Sequence, residues 1–142
     1  MLAIYLPVGI LASGKRNMKA RGTRERILAV STDLFYFQGF ENTGVQEIID
    51  RCKITKPSLY YYYPTKAALG RAYLSVQEER FLASLRRSFE KSASLADFFR
   101  IWVSFLKRSA RHRLFIGCPF TGFSSQTPRF KDADFIKELL RI

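Results

Sequence analysis

Histidine, cysteine and tryptophan are scarce in this chain of 142 residues, which has one histidine, His112, one tryptophan, Trp102, and two cysteines, Cys52 and Cys118. A structural zinc site takes four Cys or His ligands, so this inventory excludes that chemistry, and no metal or cofactor is expected. Two unpatterned thiols fit a reducing cytoplasm and read as small buried hydrophobes. His112 has no partner motif, "TGFSSQ" is not a nucleophile elbow, and no glycine-rich phosphate loop is present. The inventory argues against an enzyme. No run of about 20 apolar residues exists, so no membrane-spanning helix is expected and no membrane partner. Acidic residues are also few, 12 against 24 basic, giving a net charge of +12 and a pI near 10.1. Such an excess points to a polyanion, with nucleic acid ahead of an acidic membrane surface.

What is present is enough apolar material, 47%, for one domain with a real core. The opening "MLAIYLPVGILASGKR" places Lys15 and Arg16 after its apolar run, the reverse of a secretory signal, and Pro7 and Gly9 interrupt it. Residues 1–20 read as an extension, and the change to "MKARGTRERIL" points to Met18 as the natural start. Everything after it reads as helices. The first runs from Thr23, its N-cap, to Gln38, and stops at Gly39. The second, Gly44 to Cys52, opens on Thr43 and Gln46 as a capping box and buries Val45, Ile48, Ile49 and Cys52. Thr55 caps a third helix with Pro57 in its first turn, which Pro64 ends. Thr65 starts a long fourth, whose stripe is Leu69, Ala72, Tyr73, Val76, Leu82, Leu85 and Phe89. Ser94 caps a fifth, apolar around most of its circumference and so expected at the centre of a bundle. "GCPFTGFSSQTPRF" is broken by glycine and proline and holds at most a short helical turn. "DADFIKELLRI" is an amphipathic last piece.

The segment "TKPSLYYYYPTK" carries the chemistry. Two short helices joined by a tight turn, the second polar and aromatic and the unit basic, describe a helix-turn-helix reader of DNA at residues 44–63. At about 100° per residue, setting Leu59 inward puts Tyr63 inward and Tyr62 at the edge of that face. Pro57 and Tyr61 then point outward, flanked by Ser58 and Tyr60. An outward tyrosine can donate its hydroxyl to a phosphate while its ring packs on sugar or a thymine methyl. The alternative is a solvated bundle with a tyrosine-rich surface, which leaves the exposed rings and the first-turn proline without a purpose.

Residues 23 to about 70, including "DLFYFQGFENTGV", "EII" and "TKPSLYYYYPTKAAL", closely resemble the DNA-binding domain of the TetR family of bacterial transcriptional repressors. "GCPFTGF" is similar to a glycine–cysteine segment of some members. The resemblance implies an all-α fold: a three-helix DNA-binding bundle at residues 21–81, with its helix-turn-helix at about 44–63, then an incomplete helical ligand-binding and dimerisation domain at residues 82–142. It also implies double-stranded DNA as partner, a homodimer on a palindromic operator, and a small apolar inducer. Position by position, Thr43 would bind a phosphate and Gln46 reach a base or the backbone. Lys56, Pro57 and Ser58, behind the cap Thr55, would enter the major groove. Tyr60 and Tyr61 would clamp the backbone, Lys66 bind a phosphate, and Arg24 and the arm from Lys15 to Arg21 add contacts. Tyr62 replaces the family's usual histidine. Lys53 stands where the family commonly has glycine after helix two, a place that calls either for a left-handed backbone or for a differently shaped turn.

Phe98, Trp102, Phe105, Phe115 and Phe120, with Phe99, Leu106 and Phe123, are the candidates for an apolar pocket, against the plainer reading that they are core. The chain stops at Ile142, before a pair of dimerisation helices would fit. The alternative expectation is therefore a truncated fragment that keeps the DNA-binding domain and neither dimerises nor represses.

Overall fold

Short polar and glycine-containing segments punctuate the chain into six helices over residues 22–111 and 117–126, the residues described by this computed structural model. They are α1 (Thr23–Phe37), α2 (Val45–Cys52), α3 (Lys56–Tyr62), α4 (Lys66–Glu90), α5 (Leu95–Ala110) and α6 (Pro119–Gln126). No strand occurs among the described residues, and no helix there is long and apolar enough to cross a membrane. Residues 1–21, 112–116 and 127–142, which include the N-terminal extension, the basic arm, Phe115 and the last amphipathic piece, lie outside the described residues.

Three helices start where a hydroxyl can accept from an unpaired first-turn amide. Thr55 accepts from the Ser58 amide at 3.3 Å, Thr65 from the Ala68 amide at 3.0 Å and Ser94 from the Asp97 amide at 3.2 Å. Asp97 in turn accepts from the amide of Ala93, the residue ahead of the cap, at 3.2 Å. The first two helices depart from expectation. Gly22, not Thr23, occupies the cap position of α1, and Gly44 that of α2, neither with a side-chain cap. The expected Thr43–Gln46 capping box does not form. Gly39, at φ 91°, turns the chain after α1 so that the Thr43 hydroxyl donates to the Gly39 carbonyl at 2.7 Å, and Gln46 bonds Asp50 one turn along α2 at 2.9 Å.

The core lies where α1, α2, α3 and the first half of α4 converge. Ile27, Leu34, Phe35, Phe40, Ile48, Leu59, Leu69 and Tyr73 are buried in one cluster. Phe40 and Tyr73 meet the ring of Phe35 edge-on, at 5.0 and 5.7 Å. Each such ring contributes about 1.5–3 kcal/mol on burial, and each pair about 0.5–1.5 kcal/mol more. Phe123 of α6 joins this cluster with its ring 4.8 Å from Phe40, so the core draws on a residue outside 21–81. Gly70 is what lets α4 approach so closely, since a Cβ there would stand 2.7 Å from the Phe40 ring and 3.1 Å from Phe123.

Beyond this cluster the expectations need correction. "GCPFTGFSSQTPRF" holds a two-turn helix rather than a single turn, because Pro119 sits in its first turn, where its missing N–H is no loss. The stripe of α4 is covered only in its first half: Leu69 and Tyr73 are buried, whereas Leu82 and Phe89 are 48% and 70% exposed. α5 is not central among the described residues. It leans on α4 with Phe98 against Phe89 and Trp102 against Phe81, and leaves Leu95, Phe99, Val103 and Leu106 exposed.

Candidate nucleic-acid interface

The turn between α2 and α3 determines where α3 points. α2 ends on Lys53 in a left-handed conformation, φ 51° and ψ 54°, where a β-carbon is normally unwelcome. The Lys53 amide donates to Asp50 O and the Ile54 amide to Ile49 O, both at 3.2 Å, the paired bonds of a Schellman ending. Of the two alternatives for Lys53, the structure adopts the left-handed one. The chain then reverses through Ile54, which packs on the core, and Thr55 caps α3.

α3 is seven residues long, roughly 10 Å at 1.5 Å per residue, which fits a major groove about 12 Å wide. Leu59 and Tyr63, 3% and 4% exposed, hold it to the core. Tyr61 is 81% and Tyr60 38% exposed, and Lys56 and Pro57 share that open side, with Ser58 half-covered. Tyr62 sits at the boundary, its ring edge-on to Tyr61 at 5.0 Å. The four tyrosines therefore divide as the helical period predicts.

Basic groups frame this face. The Arg24 guanidinium lies 5.8 Å from the Tyr63 ring, tying the start of α1 to the end of α3. Burial holds the Tyr63 phenol above the ordinary tyrosine range, with Arg24 opposing the shift. The Lys66 ammonium stands 4.6 Å above the Phe40 ring and donates to the Glu41 carbonyl at 3.4 Å. Burial pulls its pKa below the ordinary lysine value, and Glu41 partly offsets this. Gln46 is exposed but engaged by Asp50, so it reaches DNA only by leaving that bond. Thr43 is fully buried with its hydroxyl committed to Gly39, so its expected phosphate contact is not available in this conformation. Two contributors escaped the sequence reading. Lys53 places a further exposed ammonium at the turn, signalled only by its unusual position, and Phe40 seats Lys66, for which the sequence carries no signal.

Among the described residues, the pocket candidates on α5 and α6 form a ladder of rings. Phe98 stacks on Trp102 with centroids 6.4 Å apart, Phe105 follows at 5.3 Å, and Phe81 bridges Trp102 to Phe120. Phe99 and Leu106, 55% and 39% exposed, face away.

A three-helix unit whose short aromatic third helix stands out on a basic face defines a helix-turn-helix domain. Residues 27–73 match the model of the family described as bacterial regulatory proteins, tetR family. It is 30% identical over 95 residues to the HTH-type transcriptional regulator RutR of Escherichia coli K12, covering 65% of this chain and 45% of RutR. To the HTH-type transcriptional regulator UidR of the same strain it is 33% identical over 72 residues, covering 51% and 37% respectively. The chain thus spans under half the length of these curated relatives. The fold is similar to that of SCO4454, a TetR-family transcriptional regulator from Streptomyces coelicolor, with a TM-score of 0.77, 23% identity, and 84% of this chain and 62% of that one covered.

Proposed function

We propose that the chain is a sequence-specific DNA-binding transcriptional regulator that inserts α3 into the major groove. The observation that carries this is the division of α3, with Leu59 and Tyr63 buried while Lys56, Pro57 and Tyr61 stand open on a basic face. Lys56, Pro57 and Ser58 meet base edges. Arg24, Thr55, Tyr60, Tyr61 and Lys66 grip phosphates and sugars, joined by Lys53, and Gln46 joins once released from Asp50. A single α3 offers few contacts, so a homodimer on a palindromic operator supplies the rest, with half-sites one helical turn apart. Repression relieved by a small apolar inducer is the regulatory mode that the resemblance to TetR repressors supports.

The test is a fluorescence-anisotropy titration of duplex DNA at several salt concentrations. Arg24, Lys53, Lys56 and Lys66 are cations placed to meet phosphates, so log K falls against log salt with a slope of roughly 3–4 per copy, at about 0.9 per phosphate. Binding that is absent at low salt, or indifferent to salt, sinks the proposal. Sedimentation velocity on the DNA complex tests the dimer, which a single bound copy at saturation refutes.

A further inference from the structure

One buried donor at the end of α3 is left without an acceptor. Tyr63 is 4% exposed, and its hydroxyl has no hydrogen-bond partner among the described residues. A phenol taken out of water without a partner is costly, so this hydroxyl favours any acceptor that reaches it. Its ring lies under the Arg24 guanidinium, which stands 5.8 Å from the ring centre. Burial raises the Tyr63 pKa most, Arg24 lowers it and Glu25 raises it, so the phenol stays a donor and feels both charges of the first turn of α1. That turn is itself short of acceptors. α1 begins at Gly22, which offers no side-chain cap, so its first amides keep their partial positive charge open. The Glu25 carboxylate folds back over this cap residue, where a Cβ on Gly22 would collide with it. Arg24 and Glu25 are both exposed, so either can swing aside without disturbing the core.

We propose that the Tyr63 hydroxyl, the Arg24 guanidinium and the start of α1 form one seat for a backbone phosphate of DNA, and that Glu25 competes for this seat until the phosphate displaces it. The seat depends on α3 entering the groove, which sets the end of α3 and the start of α1 beside the sugar–phosphate backbone. A phosphate suits all three donors: it carries the negative charge that a guanidinium and a helix N-terminus favour, and it has an oxygen to spare for the phenol. Tyr63 then serves the core with its ring and the DNA with its hydroxyl. Glu25 holds the affinity down, since its carboxylate repels the anion that the other three groups attract.

The test is fluorescence anisotropy of a mixed-sequence duplex titrated with the full chain as wild type, Tyr63→Phe and Glu25→Gln, with a thermal melt of each free protein. Tyr63→Phe is expected to weaken binding about tenfold, the effect of one hydrogen bond to a charged oxygen. Its salt slope stays that of wild type because a phenol carries no charge, and its melting temperature does not fall because the lost hydroxyl had no partner. Glu25→Gln is expected to tighten binding about threefold, the scale of one charge at a helix N-terminus. Wild-type affinity in Tyr63→Phe overturns the proposal, as does a loss of affinity matched by a fall in melting temperature, which marks a purely structural hydroxyl. Unchanged or weaker binding by Glu25→Gln overturns it too, and decides alone where Tyr63→Phe does not fold. A wild type that binds no duplex overturns α3 as the reading helix and the seat with it, whereas a wild type that binds, with variants equal to it, overturns the seat alone.

Discussion

Replacing Lys53 with glycine should make this protein more stable, because Lys53 is the non-glycine residue held at positive φ among the described residues. A left-handed L-residue costs about 1–2 kcal/mol, which glycine avoids. Glycine gives back about 0.5–1 kcal/mol through the greater freedom of its unfolded chain. The two Schellman bonds, both from backbone amides, survive the change. The net gain is about 0.5–1 kcal/mol, or roughly 2–4 °C in Tm for a chain of this size. Far-UV circular dichroism melts of wild type, Lys53→Gly and Lys53→Ala check it, since alanine removes the ammonium but keeps the β-carbon. Glycine should melt above both, with alanine close to wild type. A glycine variant no more stable than the alanine one would refute the argument that backbone strain at this turn matters.

Gly70→Ala should destabilise: a helix interior favours alanine by about 1 kcal/mol, but a Cβ at 2.7 Å from the Phe40 ring over-packs the core by about 1–3 kcal/mol. A urea midpoint that rises instead would show that Phe40 and Phe123 yield freely. Burial pushes the Cys52 thiol from 9.0 up to about 11, so its contribution is complete below the unfolded pKa and disappears as pH climbs toward about 11. The stability difference between wild type and Cys52→Ala should therefore shrink between those two values in denaturation series, and a constant difference contradicts it. Tyr61→Ala, at a ring 81% exposed, should leave the melting temperature within about a degree while weakening binding to every duplex in titrations. A large loss of stability would mean that the ring packs where we have it free.

The sequence made α3 legible because one period, about 100° per residue, assigns each tyrosine a direction once Leu59 is inward. The caps at Thr55, Thr65 and Ser94 were legible for a similar reason, since a hydroxyl ahead of a helix has few other uses. Thr43 looked identical by that rule, yet the left-handed Gly39 brings a carbonyl within reach and the hydroxyl turns inward. Local pattern does not record which of two partners comes closer. The same limit applies to α5 and the second half of α4. Their apolar residues are plain in the sequence, but whether Phe89, Leu95 and Phe99 are covered depends on neighbours that the pattern does not name. Lys66 was legible as a cation and illegible as a residue seated on Phe40, because those two meet only through the turn between α1 and α2.

The central claim is that the open side of α3 reads base sequence, and selection of bound duplexes from a random pool tests it most directly. The account predicts that wild type enriches one palindromic motif, and that Ser58→Ala enriches a motif changed at matching positions in both halves. A wild-type pool without any enriched motif, or a motif left unchanged by Ser58→Ala and by Lys56→Ala alike, would contradict it.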